Sequence, residues 1–180
     1  MTCIFKGTGD YTCLVFGTKG KRVTEWETQA RVSMARTMAL YATSVDSGEV
    51  AGVVAAFAED ARLEVSSGGV MSGRAAIEAF YARVIGPNRL DRDPGAPVPL
   101  LRHHLTTSRI DIESDTRARG RTYFLSLTAC GLDHAGVYVD IFRPVGAQWL
   151  LQDRIICVDW FASGSWYEQV RLKGRPRPGQ

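Results

Sequence analysis

Apolar residues that keep a helical period early in a chain and a strand period later can be buried together only if helices are laid against a sheet. This sequence has that order. Trp26, Ala30, Met34, Met38, Tyr41 and Val45 recur at spacings of three and four, which predicts one helix with a single buried stripe. Thr24 and Glu27 stand in the T-x-x-E spacing of a capping box, and Asp46-Ser47-Gly48 ends the helix. A second helix is expected over 49–58, with Val50, Val53, Val54 and Phe57 on one face, followed by a strand over Ala61 to Val65 and a turn at Gly68-Gly69. Gly73-Arg74 leads into a third helix carrying Ile77, Phe80, Tyr81 and Val84. The stretch 86–99 holds Pro87, Pro94, Pro97 and Pro99 and reads as a long loop of the kind that forms lids or partner contacts. Beyond it the period becomes two. His104, Thr106, Ser108, Ile110 and Ile112 share one parity, and strands follow over Arg119 to Ala129, Val137 to Arg143 and Trp149 to Phe161. Turns are expected at Ser114-Asp115, Gly131 to Gly136 and Pro144 to Ala147. Helices first and antiparallel strands after define an α+β fold. Long strands beside three helices curl into a cone, and the inside of a cone is a natural ligand pocket.

A chain of 180 residues suits one domain. Its expected bounds are 24–162, with an N-terminal extension over 1–23 able to add a hairpin and a basic C-terminal tail over 163–180, of which 174–180 reads as disordered. The net charge of +3 is misleading, because each flank carries +3 and the central body is acidic. Basic flanks without a basic, aromatic-studded patch on the body argue against nucleic acid as partner. No apolar run is long enough for a bilayer, and no secretory pattern opens the chain, so a cytoplasmic protein without membrane attachment is expected. Cys3, Cys13, Cys130 and Cys157 form no C-x-x-C pair, and the three histidines fit no ligand motif, so neither a metal nor any other cofactor is expected.

Three polar positions stand out. Asp46 closes the first helix, where the helix dipole disfavours a carboxylate; it is either a turn residue or a functional one. His104 shares the parity of Ile110 and Ile112 and so points inward while His103 points out, an assignment that a bulge would exchange. A histidine there is either a satisfied core residue or an acid/base group. Arg154 shares the parity of Ile156, Val158 and Trp160, and a guanidinium among apolar neighbours either meets a carboxylate or lines a polar cavity. Phe57, Met71, Phe80, Phe124, Tyr138 and Trp160 are the candidates for the pocket wall.

The segments Tyr41-Ala-Thr-Ser-Val-Asp46-Ser-Gly-Glu, Val54-Ala-Ala-Phe-Ala-Glu-Asp-Ala61, Met71-Ser-Gly-Arg-Ala-Ala-Ile77, Arg102-His-His104-Leu-Thr-Thr107 and Asp153-Arg-Ile-Ile-Cys-Val-Asp-Trp160 together resemble a SnoaL-like domain of the nuclear transport factor 2-like superfamily, over about residues 27–162. The resemblance implies a cone of three helices on a curved sheet, in a dimer or trimer. Its relatives range from scytalone dehydratase, hexachlorocyclohexane dehydrochlorinase, polyketide cyclases and ketosteroid isomerase to the non-catalytic β subunits of ring-hydroxylating dioxygenases, so fold alone does not name a reaction. In the dehydratase and dehydrochlorinase branch an Asp at the end of the first helix pairs with a His at the start of the long strand, positions that match Asp46 and His104. Arg154 matches a pocket arginine of the dehydrochlorinase, and Tyr41 stands where that branch has a lysine. The dehydratase's second histidine has only Thr128, Ala129 or Cys130 opposite it here. The implied function is a cofactor-independent lyase or isomerase acting on a small hydrophobic oxygenated molecule. Within it His104, oriented by Asp46, removes a proton, and Arg154 or Tyr41 opposes the developing negative charge. The alternatives are a β-subunit-like assembly protein or a small-ligand binding protein. A homodimer is expected through the outer face of the sheet near Trp149, Trp160 and Trp166, with a trimer as the other possible order.

Overall fold

The computed structural model describes residues 23–66, 68–85 and 100–173, the last four as backbone only. The expectations for 1–22, 86–99 and 174–180 lie outside the described residues. Helix α1 (Glu25–Ser47) opens on the capping box: Thr24 Oγ1 accepts from the Glu27 N–H, and the Glu27 carboxylate accepts from the Thr24 N–H. Ala30, Met34, Met38, Tyr41 and Val45 are buried, whereas Trp26, expected on the same stripe, is exposed in the first turn. Gly48, left-handed at φ 70°, ends the helix by donating to the Ser44 and Val45 carbonyls. Helix α2 (Val50–Ala55) is shorter than its pattern suggested, because the chain leaves it to enter strand β1 (Phe57–Val65). The run Val53 to Ala58 is apolar throughout and carries no period, so helix and strand compete for it. Pairing with the last strand favours the strand, and the Arg74 guanidinium donating to the Phe57 carbonyl pins its start.

Strand β2 (Gly69–Ser72) and helix α3 (Arg74–Val84) follow, then strands β3 (Leu101–Ile112), β4 (Ala118–Thr128), β5 (Gly131–Val145) and β6 (Gln148–Phe161), and finally helix α4 (Trp166–Lys173). The strands form one curved, unclosed sheet in the order β2-β1-β6-β5-β4-β3, antiparallel except where β1 runs parallel to β6. The fold is the expected α+β cone. One turn is misplaced by sequence: the hairpin between β4 and β5 is the pair Ala129-Cys130, so 131–136 is strand rather than turn.

Of the sheet's five register shifts, three set which side chains face inward around the histidines. In β3, Leu105 opposes Phe124 but Ser108 opposes Thr122, so β3 carries an extra residue and its phase flips. In β5, Asp133 is the extra residue between partners of Ser126 and Leu127. In β6, Val158 opposes Gly136 while Trp160 opposes Ala135, which again inverts the phase. Gly136 permits that last bulge, since a Cβ there would stand 2.0 Å from the Cys157 carbonyl oxygen.

Candidate active site

The open end of the cone carries a cleft of about 310 Å³. Its walls come from the end of α1 (Val45, Asp46), the start of β3 (Leu101), the β4–β5 hairpin (Cys130) with Asp133, and the segment leading into α4 (Trp166). Asp46 sits in the last turn of α1 and accepts from both donors of one residue on β3. The His103 backbone N–H reaches both carboxylate oxygens at 3.0 Å, and ring Nδ1 lies 2.6 Å from Oδ1. These donors offset the unfavourable helix end. Both side chains are about nine-tenths buried. With the Nδ1 proton held by the carboxylate, Nε2 is the nitrogen that can accept a proton.

The partner of Asp46 is therefore His103 and not His104. Simple alternation counted back from Ile110 and Ile112 selects His104, but the extra residue in β3 reverses the count, and His104 is exposed on the opposite face. The consequence of a bulge was readable from the sequence; its presence was not.

A second histidine, unassigned by sequence because 131–136 read as a turn, faces the first. His103, Ser126 and His134 are directly opposite one another across β3, β4 and β5, and the two imidazole centroids are 6.0 Å apart. His134 Nδ1 lies 2.8 Å from Asp133 Oδ1, and Nε2 lies 3.2 Å from Ser126 Oγ. The carboxylate can only accept, so the neutral ring carries its proton on Nδ1 and Ser126 donates to Nε2. Burial pushes the His134 pKa below its usual 6.5, against the pull of Asp133. Phe124 packs against both histidines and stacks on Tyr138 at 4.3 Å.

Deeper in the cone Arg154 is fully buried. Its Nε and Nη2 each lie 2.8 Å from an oxygen of Asp140, its direct cross-strand neighbour, and the guanidinium is held between the Tyr41 and Tyr138 rings at 4.1 and 4.3 Å. Burial opposes the charge on Arg154, but Asp140 outweighs it and keeps the group protonated; burial also pushes the Asp140 carboxyl up, against Arg154. Tyr41 donates to or accepts from Tyr81 at 2.5 Å between hydroxyls, and burial raises both phenols. Of the two readings of Arg154, the structure gives the ion pair. Arg154 Nη1 has no hydrogen-bond partner.

Asp46 and Asp133 line the cleft, with His103 and His134 bonded behind them; His104, Tyr41, Arg154 and the six expected wall residues are not among its lining. Phe57, Met71, Phe124 and Tyr138 belong to the packed core and Phe80 packs on its edge. Trp160 is 47% exposed, turned outward by the β6 bulge. Among the described residues no cluster of three or more His, Cys, Asp or Glu side chains is arranged to hold a metal, and no helix is long and apolar enough to cross a membrane.

Helices on one side of an unclosed curved sheet, with an Asp–His pair at the open end, define a cone-shaped domain of the nuclear transport factor 2-like kind. The chain belongs to the SnoaL-like domain family, whose profile matches residues 26–155. A putative scytalone dehydratase from Novosphingobium aromaticivorans is similar in structure, with TM-score 0.61 and 21% identity, over 73% of this chain and 85% of that one. A hexachlorocyclohexane dehydrochlorinase, LinA type 2, aligns with TM-score 0.61 and 16% identity over 75% and 88%. Aln2 from a Streptomyces species aligns with TM-score 0.62 and 17% identity over 86% and 100%. At these identities the likeness is one of fold. No curated protein matches the sequence significantly.

Proposed function

We propose that the protein is a cofactor-independent lyase or isomerase that acts on a small hydrophobic oxygenated molecule in the cleft, with His103 as general base. The 2.6 Å contact between Asp46 and His103 Nδ1 carries this reading, because it fixes the ring with Nε2 as the basic nitrogen. His103 takes a proton from carbon next to an electron-withdrawing group. The C–H electron pair forms the new double bond, and either the β-substituent leaves with its electrons or the proton returns at another carbon. Arg154 and Tyr41 serve from beneath: their stacking holds Tyr138, and through it Phe124, under the two imidazoles. The placement of a putative dehydratase and a dehydrochlorinase among the similar folds supports the reaction class. We also propose a cytoplasmic homodimer, in which the exposed Tyr123 on β4 and Trp160 on β6 meet a second copy.

The test is turnover of a panel of oxygenated polyketide-, terpenoid- and steroid-type compounds followed by mass spectrometry. Asp46→Asn and His103→Ala are each expected to lower turnover by about 100-fold or more, while His104→Ala leaves it unchanged. Because the pair works as a unit, the double variant is expected to be little worse than either single one. A fully active Asp46→Asn protein would overturn the mechanism and favour a β-subunit-like or ligand-binding role.

A further inference from the structure

Asp133 does two things with one carboxylate. Oδ1 accepts from His134 Nδ1 at 2.8 Å and from the Tyr167 N–H at 3.2 Å, while Oδ2 accepts from the Trp166 N–H at 2.7 Å. The first-turn donors of α4 and the second histidine therefore share an acceptor. The helix is tied down further: Ser165 Oγ caps the Glu168 N–H, the Glu168 carboxylate accepts from Gly164, and the Ala162 N–H reaches the Asp133 carbonyl. Once docked, α4 covers His134 directly, with the Tyr167 ring stacked on the imidazole at 5.0 Å and Trp166 at 6.3 Å. Trp166 and Gln169 of the same helix line the cleft. The segment that lines the cleft is thus also the segment that seals His134.

The groups facing His134 can be enumerated. Asp133 on its own strand is the bonded carboxylate, and His103 on β3 lies 6.0 Å away with Asp46 of α1 behind it. Ser126 and Phe124 come from β4, Phe161 is the cross-strand neighbour on β6, and Tyr167 and Trp166 come from α4. Burial under this cover favours the neutral ring. A positive charge on His134 would stand beside the nitrogen base and oppose the step in which His103 becomes charged.

We propose that the C-terminal helix switches the base: docked through Asp133 it keeps His134 neutral beside His103, and released it lets His134 take a proton that opposes proton uptake by His103. Asp133 borders the cleft, but both its carboxylate oxygens are taken up by His134 and the helix, so in this scheme it is a positioning residue. The inference deepens the acid–base reading, and its test needs no turnover, so a protein that proved to be no enzyme would leave the coupling itself standing or falling on its own result.

The experiment is a pH titration of the full-length chain, with ring nitrogens of the histidines followed by long-range proton–nitrogen spectra. Trp166→Pro removes the N–H that binds Asp133 Oδ2, at a first-turn position where proline is compatible with a helix. Trp166→Ala removes the ring but keeps the N–H. The His134 midpoint is expected to be higher in the proline variant than in the alanine variant by about 0.5 pH unit or more, because a freed carboxylate and a less buried ring both favour the imidazolium. Ser165→Ala, which loosens the same helix at its cap, is expected to move the midpoint in the same direction and serves if Trp166→Pro fails to fold. Identical midpoints in Trp166→Pro and Trp166→Ala, or in Ser165→Ala and the parent when the proline variant fails, would overturn the proposal.

Discussion

Arg154 and Asp140 are both fully buried, and a guanidinium cannot shed its charge, so each depends on the other. Removing one partner leaves a buried charge unpaired. Asp140→Leu and Arg154→Met are each expected to cost about 3–5 kcal/mol in a denaturant titration, whereas the double variant, with no charge left behind, costs less than either. His134 makes a different demand. Its folded pKa is depressed by burial below 6.5, so between those two values the unfolded chain binds more protons than the folded one. The stability associated with the neutral ring is complete above about pH 6.5 and is lost as pH falls toward the folded pKa. The parent protein should therefore lose more thermal stability between pH 7.5 and 5 than His134→Gln does, relative to each protein's own value at pH 7.5, when unfolding is followed by circular dichroism. Equal losses would show that His134 titrates alike in both states.

Among the elements, the contacts between neighbouring backbones are the least forgiving. A Cβ at Gly136 would meet the Cys157 carbonyl oxygen at 2.0 Å and its carbon at 3.0 Å, so Gly136→Ala must part β5 from β6. A loss of about 3 kcal/mol and a lower melting temperature are expected. Gly52→Ala is milder in kind, since the added carbon would press at 2.2 Å on Ser44 Oγ, a side-chain atom at the α1–α2 junction; its expected cost is about 1–3 kcal/mol. Elements with a strong local signal were legible in sequence: the α1 capping box, the Gly48 stop and the strands β3, β4 and β6 stand close to where the pattern put them, whereas β5 begins six residues earlier, at Gly131. Of the site, Asp46 stood out because a carboxylate at a helix end is locally out of place, but its pairing with a histidine of β3 came from the resemblance to the SnoaL-like family. His103 was not, since parity is transmitted along a strand only while the ladder is unbroken. His134 was hidden by Gly131 and Gly136, whose spacing imitates a turn although Gly136 serves a close strand approach. Asp140 left no trace, because nothing local to Val139-Asp140-Ile141 announces an arginine on the next strand.

On the scale of the whole molecule, the sheet has one face occupied by helices and, among the described residues, one on which no helix packs. On that second face Tyr123 is 46% exposed and Trp160 47% exposed on strands separated only by β5. The proposed homodimer would cover them. Light scattering at micromolar concentration is expected to report twice 19.8 kDa, and Tyr123→Glu with Trp160→Glu to report the single mass, without loss of the folded far-ultraviolet spectrum. A monomeric parent would remove the dimer from the account. The extra residue in β3 bears on the molecule's shape as well as on which histidine is used. Deleting Thr107 would take out one position between Leu105 and Ser108, and counting by twos from Ile110 then reaches Ser108, Leu105 and His103 in turn. The shortened strand would keep every inward residue inward. What it would lose is the bend, so the kink acts as a spacer in the chain's frame: it costs one residue and in return lets a single strand swing its first half toward the end of α1, where Asp46 waits.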